Sequence, residues 1–123
     1  MARVVHFELA ADDPARAVAF YANVFGWQIN QWGDQAYWLA STGAPGTPGI
    51  DGAIRPREDP AMPAVVNTID VASLDEAVAK VLANGGTIAM PKMVVPGVGY
   101  LAYCNDTEGI MFGMMQSDPS AMP

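Results

Sequence analysis

ARAVAFYANVFG at residues 15–26 and DEAVAKVLANGG at residues 75–86 are two versions of one segment. Ala17-Val18-Ala19 returns 60 residues later as Ala77-Val78-Ala79, and Gly26 returns as Gly86. The same offset, without a gap, turns Gly49-Ile50 into Gly109-Ile110. Each segment has helical spacing and follows an apolar strand pattern. A small α+β unit therefore occurs twice in a chain of 123 residues, which predicts a paired-module fold with a small-molecule pocket on the concave side of its sheet.

Before the first of these segments, Val4–Ala10 reads as a strand with Val5, Phe7 and Leu9 on one side and His6 and Glu8 on the other. Asp13 is an N-cap and Pro14 a first helical residue. Pro14, Ala17, Val18, Tyr21, Ala22 and Phe25 follow at helical spacing until Gly26 stops the helix. Strands are expected at Trp27–Gln31, Ala36–Ala40 and Ile50–Arg55. In the second half, Val65–Val71 is a strand. Ser73-Leu74-Asp75-Glu76 is a capping box, and Leu74, Ala77, Val78, Val81 and Leu82 form an apolar helical stripe. Thr87–Met90, Gly99–Cys104 and Ile110–Gln116 supply three more strands. The reading is α+β: two βαβββ modules, residues 1–55 and 65–116, forming a curved, barrel-like mixed sheet with helices on the convex side. A Pro-rich linker, 56–64, joins them, and 117–123 is a flexible tail.

Hydrophobic residues make up 51% of the chain, enough for a packed interior. Thirteen acidic residues against six basic give a net charge of −7, which argues against nucleic acid and anionic membrane surfaces as partners. The one cysteine, Cys104, precludes an intrachain disulfide and suits a reducing compartment. With no apolar leader pattern and no membrane span, a cytoplasmic protein is expected. Half-modules of this size bury little core alone, so a homodimer is expected as well.

The order of elements, with Phe20-Tyr21-Ala22-Asn23-Val24-Phe25-Gly26-Trp27 closing the first helix, resembles the vicinal oxygen chelate superfamily of glyoxalase I, bleomycin-resistance proteins, fosfomycin-resistance enzymes and extradiol dioxygenases. His6 on the first strand, Asn84-Gly85-Gly86 after the second helix and Asp106-Thr107-Glu108-Gly109 before the last strand add to it. Met90-Pro91-Lys92-Met93 and Pro96-Gly97-Val98-Gly99 are similar to small bacterial glyoxalase-like members. The resemblance spans Val4 to Gln116. It implies a divalent cation held by side chains on the first and fourth strands of each module. Those positions fall at His6, at Asp51 or Ala53, at Val66 and at Gly113. Valine and glycine offer no side-chain donor, and a catalytic ion needs about three protein ligands. The resemblance therefore implies the fold without a cofactor, a divalent metal being disfavoured.

The candidate catalytic residues are His6, Glu8 and Asp51, which strand parity places on one face; Asp70 belongs to the same question. Trp27, Trp38, Val66, Tyr100, Met111 and Gly113 are the candidate ligand-binding residues. At least two aromatics of the set Trp27, Trp32, Tyr37, Trp38, Tyr100 and Tyr103 would supply stacking walls, Met111 an adaptable apolar surface, and Val66 and Gly113 the room that long metal ligands would have filled. Cys104, with no base near it in sequence, reads as a small buried residue. The function expected is binding of a small, partly apolar organic molecule in the concave cavity. The alternative is a lyase or isomerase of the lactoylglutathione lyase type, acting on a carbonyl substrate through His6, Glu8 and Asp51.

Overall fold

Alternation along Arg3–Ala11 makes the first strand, β1. The computed structural model describes residues 2–123. After β1 come α1 (Pro14–Phe25), β2 (Gln28–Gln31), β3 (Trp38–Ser41) and β4 (Asp51–Pro56). The same succession then repeats as β5 (Val65–Asp70), α2 (Leu74–Ala83), β6 (Thr87–Val95), β7 (Gly99–Asn105) and β8 (Met111–Ser117). The class is α+β, and the βαβββ order occurs twice.

Two compact units are present. One is His6–Val66; the other is Asn67–Pro123 with Arg3–Val5 of β1. In the first, the strands lie in the order β2-β3-β4-β1, with β1 and β4 parallel and the other neighbours antiparallel. In the second, the order β5-β8-β7-β6 reproduces that pattern, with β5 and β8 parallel. The mixed strand order of each unit follows from its connections. A helical crossover and two hairpin-like links return the fourth strand alongside the first, in the same direction.

Local chemistry fixes the helices. The Asp13 carboxylate accepts from the Arg16 N–H at 3.1 Å, and Gly26 closes α1 in the left-handed region at φ 74°. Ser73 Oγ accepts from the Glu76 N–H. The return half of that capping box is not used; the next free donor, the Leu74 N–H, goes instead to Gln116 Oε1 on β8. In the first unit α1 is held by aromatic contact. Tyr21 stacks on Trp27 with centroids 4.9 Å apart, and Trp27 packs against Phe7 of β1. No residue of α1 is fully buried, and Phe20, Val24 and Phe25 are more than half exposed. In the second unit Leu74, Ala102, Cys104 and Met114 are fully enclosed, with Val78, Val81, Tyr100 and Phe112 packed around them.

Three expectations change. The strand read as Thr87–Met90 runs on to Val95. Pro91 has no N–H for a ladder, yet it is tolerated at the edge of the second unit's sheet, with bulges between Ile88 and Met90 and between Met90 and Met93. Leu82, expected in the core stripe, is 51% exposed. The segment expected to be a flexible tail is tied down. Ala121 is buried, its carbonyl accepts from the Gly97 N–H, and the Asp118 N–H donates to the Val98 carbonyl.

Gly52 shows how tightly β1 and β4 fit. It lies opposite Phe7, and a Cβ there would overlap both the Phe7 ring and the Phe7 carbonyl. Gly52→Ala should therefore destabilise the protein by about 1–3 kcal/mol in urea unfolding. An unchanged midpoint would contradict this packing.

Candidate functional site

The site is built on the register of two parallel strands. His6 lies opposite Asp51, Glu8 opposite Ala53 and Ala10 opposite Arg55, so these side chains share one face of the first unit. The other face carries Phe7 and Leu9, opposite Gly52 and Ile54. Ala53 is completely buried and small, which leaves room beside Glu8. Arg55, two residues further along β4, reaches back until its Nε lies 3.7 Å from Glu8 Oε1.

Glu8 is only 6% exposed. A carboxylate that deep needs compensating donors and charge. Tyr37, the residue before β3, donates its hydroxyl to Glu8 Oε2 at 2.7 Å. The Tyr37 hydroxyl oxygen also lies 2.9 Å from His6 Nε2. A phenol has one proton, and the carboxylate can only accept it, so His6 must supply the proton of its own contact. The network assigns His6 the Nε2–H tautomer. Burial pushes the His6 pKa down, opposed in part by Glu8 and Asp51, so the ring is neutral at pH 7.

Beside Glu8 opens a cleft of about 310 Å³, lined also by Trp32, Gln35, Tyr37, Arg55 and Glu58. The Trp32 ring stands edge-on to Tyr37 with centroids 6.0 Å apart and is 42% exposed. This combination of an aromatic wall, a buried carboxylate and a guanidinium is a small polar site with one apolar side.

The residues expected from sequence do not all gather here. His6 and Glu8 do. Asp51 shares their face but is exposed, and its carboxylate accepts from the Thr42 N–H at 2.9 Å and from Thr42 Oγ1. It fastens the loop between β3 and β4. Trp27 belongs to the Phe7–Tyr21 cluster, and Trp38 lies opposite Ile54; both are on the helix-packed face. Tyr100 packs on the Leu74 core, with Lys92 Nζ 5.1 Å from its ring. Val66 is 1% exposed and presents no open surface. Cys104 is buried, which pushes its thiol pKa up.

In the second unit Gly113 lies opposite both Thr68 and Tyr103, Met111 opposite Asn105, and Asp70 opposite Met115. Gly113 does not leave an open space. The Tyr103 ring comes within 3.3 Å of where its Cβ would be, and Thr68 Oγ1 within 3.1 Å. The expected enlargement at this position is filled by a neighbouring ring.

The sequence placed Trp32 and Tyr37 among the aromatics expected to line the pocket without singling them out, and gave Arg55 no role in the site. For Arg55 the signal was present, because Asp51, Ala53 and Arg55 alternate along β4. For Tyr37 it was not: Tyr37 and Trp38 point to opposite faces, and only the pairing of β3 with β4 decides which faces Glu8.

Residues 3–114 match the profile of the Glyoxalase/Bleomycin resistance protein/Dioxygenase superfamily. The chain belongs to that superfamily. Solved structures with this fold include a superfamily member from Vibrio splendidus 12B01, 18% identical, with a TM-score of 0.67 over 96% of this chain and 100% of the other. Methylmalonyl-CoA epimerase from Mycobacterium tuberculosis is 17% identical, with a TM-score of 0.63 over 94% and 88%. A hypothetical protein from Bacillus halodurans C-125 is 14% identical, with a TM-score of 0.66 over 99% of each chain. No curated protein matches the sequence.

As a superfamily member the chain departs from the metal-binding pattern. Among the described residues no group of three or more His, Cys, Asp and Glu side chains is placed to hold an ion. His6 Nε2 is engaged by Tyr37 and Asp51 by Thr42, while Val66 and Gly113 offer no donor. This donor set does not fit a divalent cation at the positions the resemblance implies.

The lowered His6 pKa has a signed consequence. Unfolded, the ring protonates near its ordinary 6.5; folded, it protonates at lower pH. Between the two values the unfolded chain binds more protons, so stability rises with pH there. The His6 contribution is complete above about pH 6.5 and is lost as pH falls through the folded value. Urea unfolding from about pH 5 to about pH 8 should show this slope, and His6→Gln should remove its share. A His6→Gln profile parallel to the parent would contradict the assignment.

Proposed function

We propose that this superfamily member binds a small, partly apolar organic molecule in the cleft beside Glu8, without a metal ion. The observation that carries the reading is the coincidence of the most elaborate side-chain network in the first unit with an open cleft of about 310 Å³. That volume is at the lower end for small-ligand sites. Trp32 offers the apolar wall; Glu8, Tyr37 and Arg55 offer the polar one. The net charge of −7 favours neutral or cationic ligands over anionic ones. The wider reading is a cytoplasmic homodimer of the glyoxalase/bleomycin-resistance type. Among the described residues no helix is long and apolar enough to cross a membrane.

The hydrogen-bonded chain from His6 through Tyr37 to Glu8 favours a second reading, a metal-free lyase or isomerase of the lactoylglutathione lyase type. On a carbonyl substrate Glu8 takes up and returns a proton at the carbon beside the carbonyl, while Tyr37 and His6 fix its orientation. Asp51, committed to Thr42, is left out of this mechanism.

Amide-resolved NMR of the full chain, titrated with small neutral and cationic aromatic compounds, tests the first reading. Binding should perturb Trp32, Tyr37 and Arg55 and weaken about tenfold or more in Trp32→Ala. Ligands that map elsewhere and ignore Trp32→Ala would contradict it. Uptake of solvent deuterium into a bound carbonyl compound, lost in Glu8→Gln, would select the second reading over simple binding.

A further inference from the structure

One group in the cleft has unused hydrogen-bonding capacity. Arg55 carries five N–H donors. Among the described residues none of them donates a hydrogen bond. Its nearest charged partner, Glu8 Oε1, lies 3.7 Å from Nε, beyond hydrogen-bonding range. Nε itself is sealed from solvent, whereas the side chain as a whole is 23% exposed and lines the cleft. The two terminal nitrogens are neither buried nor bonded, so their N–H groups are available to an occupant.

The charges around them limit what that occupant is. Among the described residues Glu8 and Glu58 contribute two negative charges to the lining and Arg55 one positive, a net negative charge of one that repels an anion. A cation meets the opposite difficulty: Glu8 already has Tyr37 and Arg55, and the open donors of Arg55 have no use for a second donor. What the cleft lacks is a neutral acceptor. Its aromatic wall, Trp32, is 42% exposed and suits a flat apolar group.

We propose that the cleft takes an uncharged planar molecule bearing a carbonyl or amide oxygen, the oxygen accepting from the terminal N–H groups of Arg55 and the flat group lying on Trp32. This rests on the cleft being the binding site, as argued above.

Three matched probes test it: benzamide, benzoate and benzamidinium, titrated into the full chain at constant ionic strength and read on the Trp32 indole and Arg55 Nε signals. Benzamide should shift both signals saturably and bind more tightly than either charged analogue. Arg55→Lys keeps a positive charge beside Glu8 but loses the planar fork, and should weaken benzamide about tenfold or more. Should this variant fail to fold, the ranking of the three probes on the parent protein decides. Benzamidinium binding at Trp32 more tightly than benzamide, or benzamide indifferent to Arg55→Lys in a folded protein, would overturn the oxygen-acceptor assignment and leave the cleft as a site. Three probes that all leave Trp32 unmoved would overturn both.

Discussion

A carboxylate buried on the first strand constrains much of what surrounds it. Glu8 is placed inward by strand alternation, and its burial has to be offset by donors and a counter-charge. The register of β1 on β4 meets that need by setting tiny Ala53 opposite it and Arg55 one diagonal step away. The β2–β3 connection meets the rest by delivering the Tyr37 hydroxyl. Tyr37 in turn ties down His6. A shift of one residue in β4 would send Arg55 to the helix-packed face and leave Glu8 without its counter-charge. The cleft is bounded by the very groups recruited to satisfy that carboxylate.

The duplication shows how one backbone carries two chemistries. At the 60-residue offset, His6 becomes Val66, Glu8 becomes Thr68, Ala53 becomes Gly113 and Arg55 becomes Met115. The pairing survives: Glu8 faces Ala53 as Thr68 faces Gly113. Yet every charged member has been replaced by a neutral one, and the room over Gly113 is taken by Tyr103.

How much of this the sequence revealed depends on the range of the interaction. The helices, their caps at Asp13 and Ser73 and the stop at Gly26 were legible, because a cap involves residues three or four apart. The inward direction of His6 and Glu8 was legible from alternation alone. The aromatic assignments were not. Trp27, Trp38 and Tyr100 looked like ligand walls by size, but Trp27 stacks on Tyr21 of α1, and strand pairing put Trp38 opposite buried Ile54 and Tyr100 against the Leu74 core. Tyr37, one residue from Trp38, received the opposite face from the same pairing. The fold is written in local patterns; the site depends on cross-strand register, which no local pattern states.

Tyr37 gives its single proton to Glu8 and receives one from His6. Nitrogen-15 chemical shifts of the His6 imidazole, measured at pH 7 in the full chain, test this without any ligand or substitution. The network requires a neutral ring protonated on Nε2 with Nδ1 bare. A ring protonated on Nδ1, with Nε2 acting as acceptor, would mean that Tyr37 donates to His6 instead, and that Glu8 is not held as described.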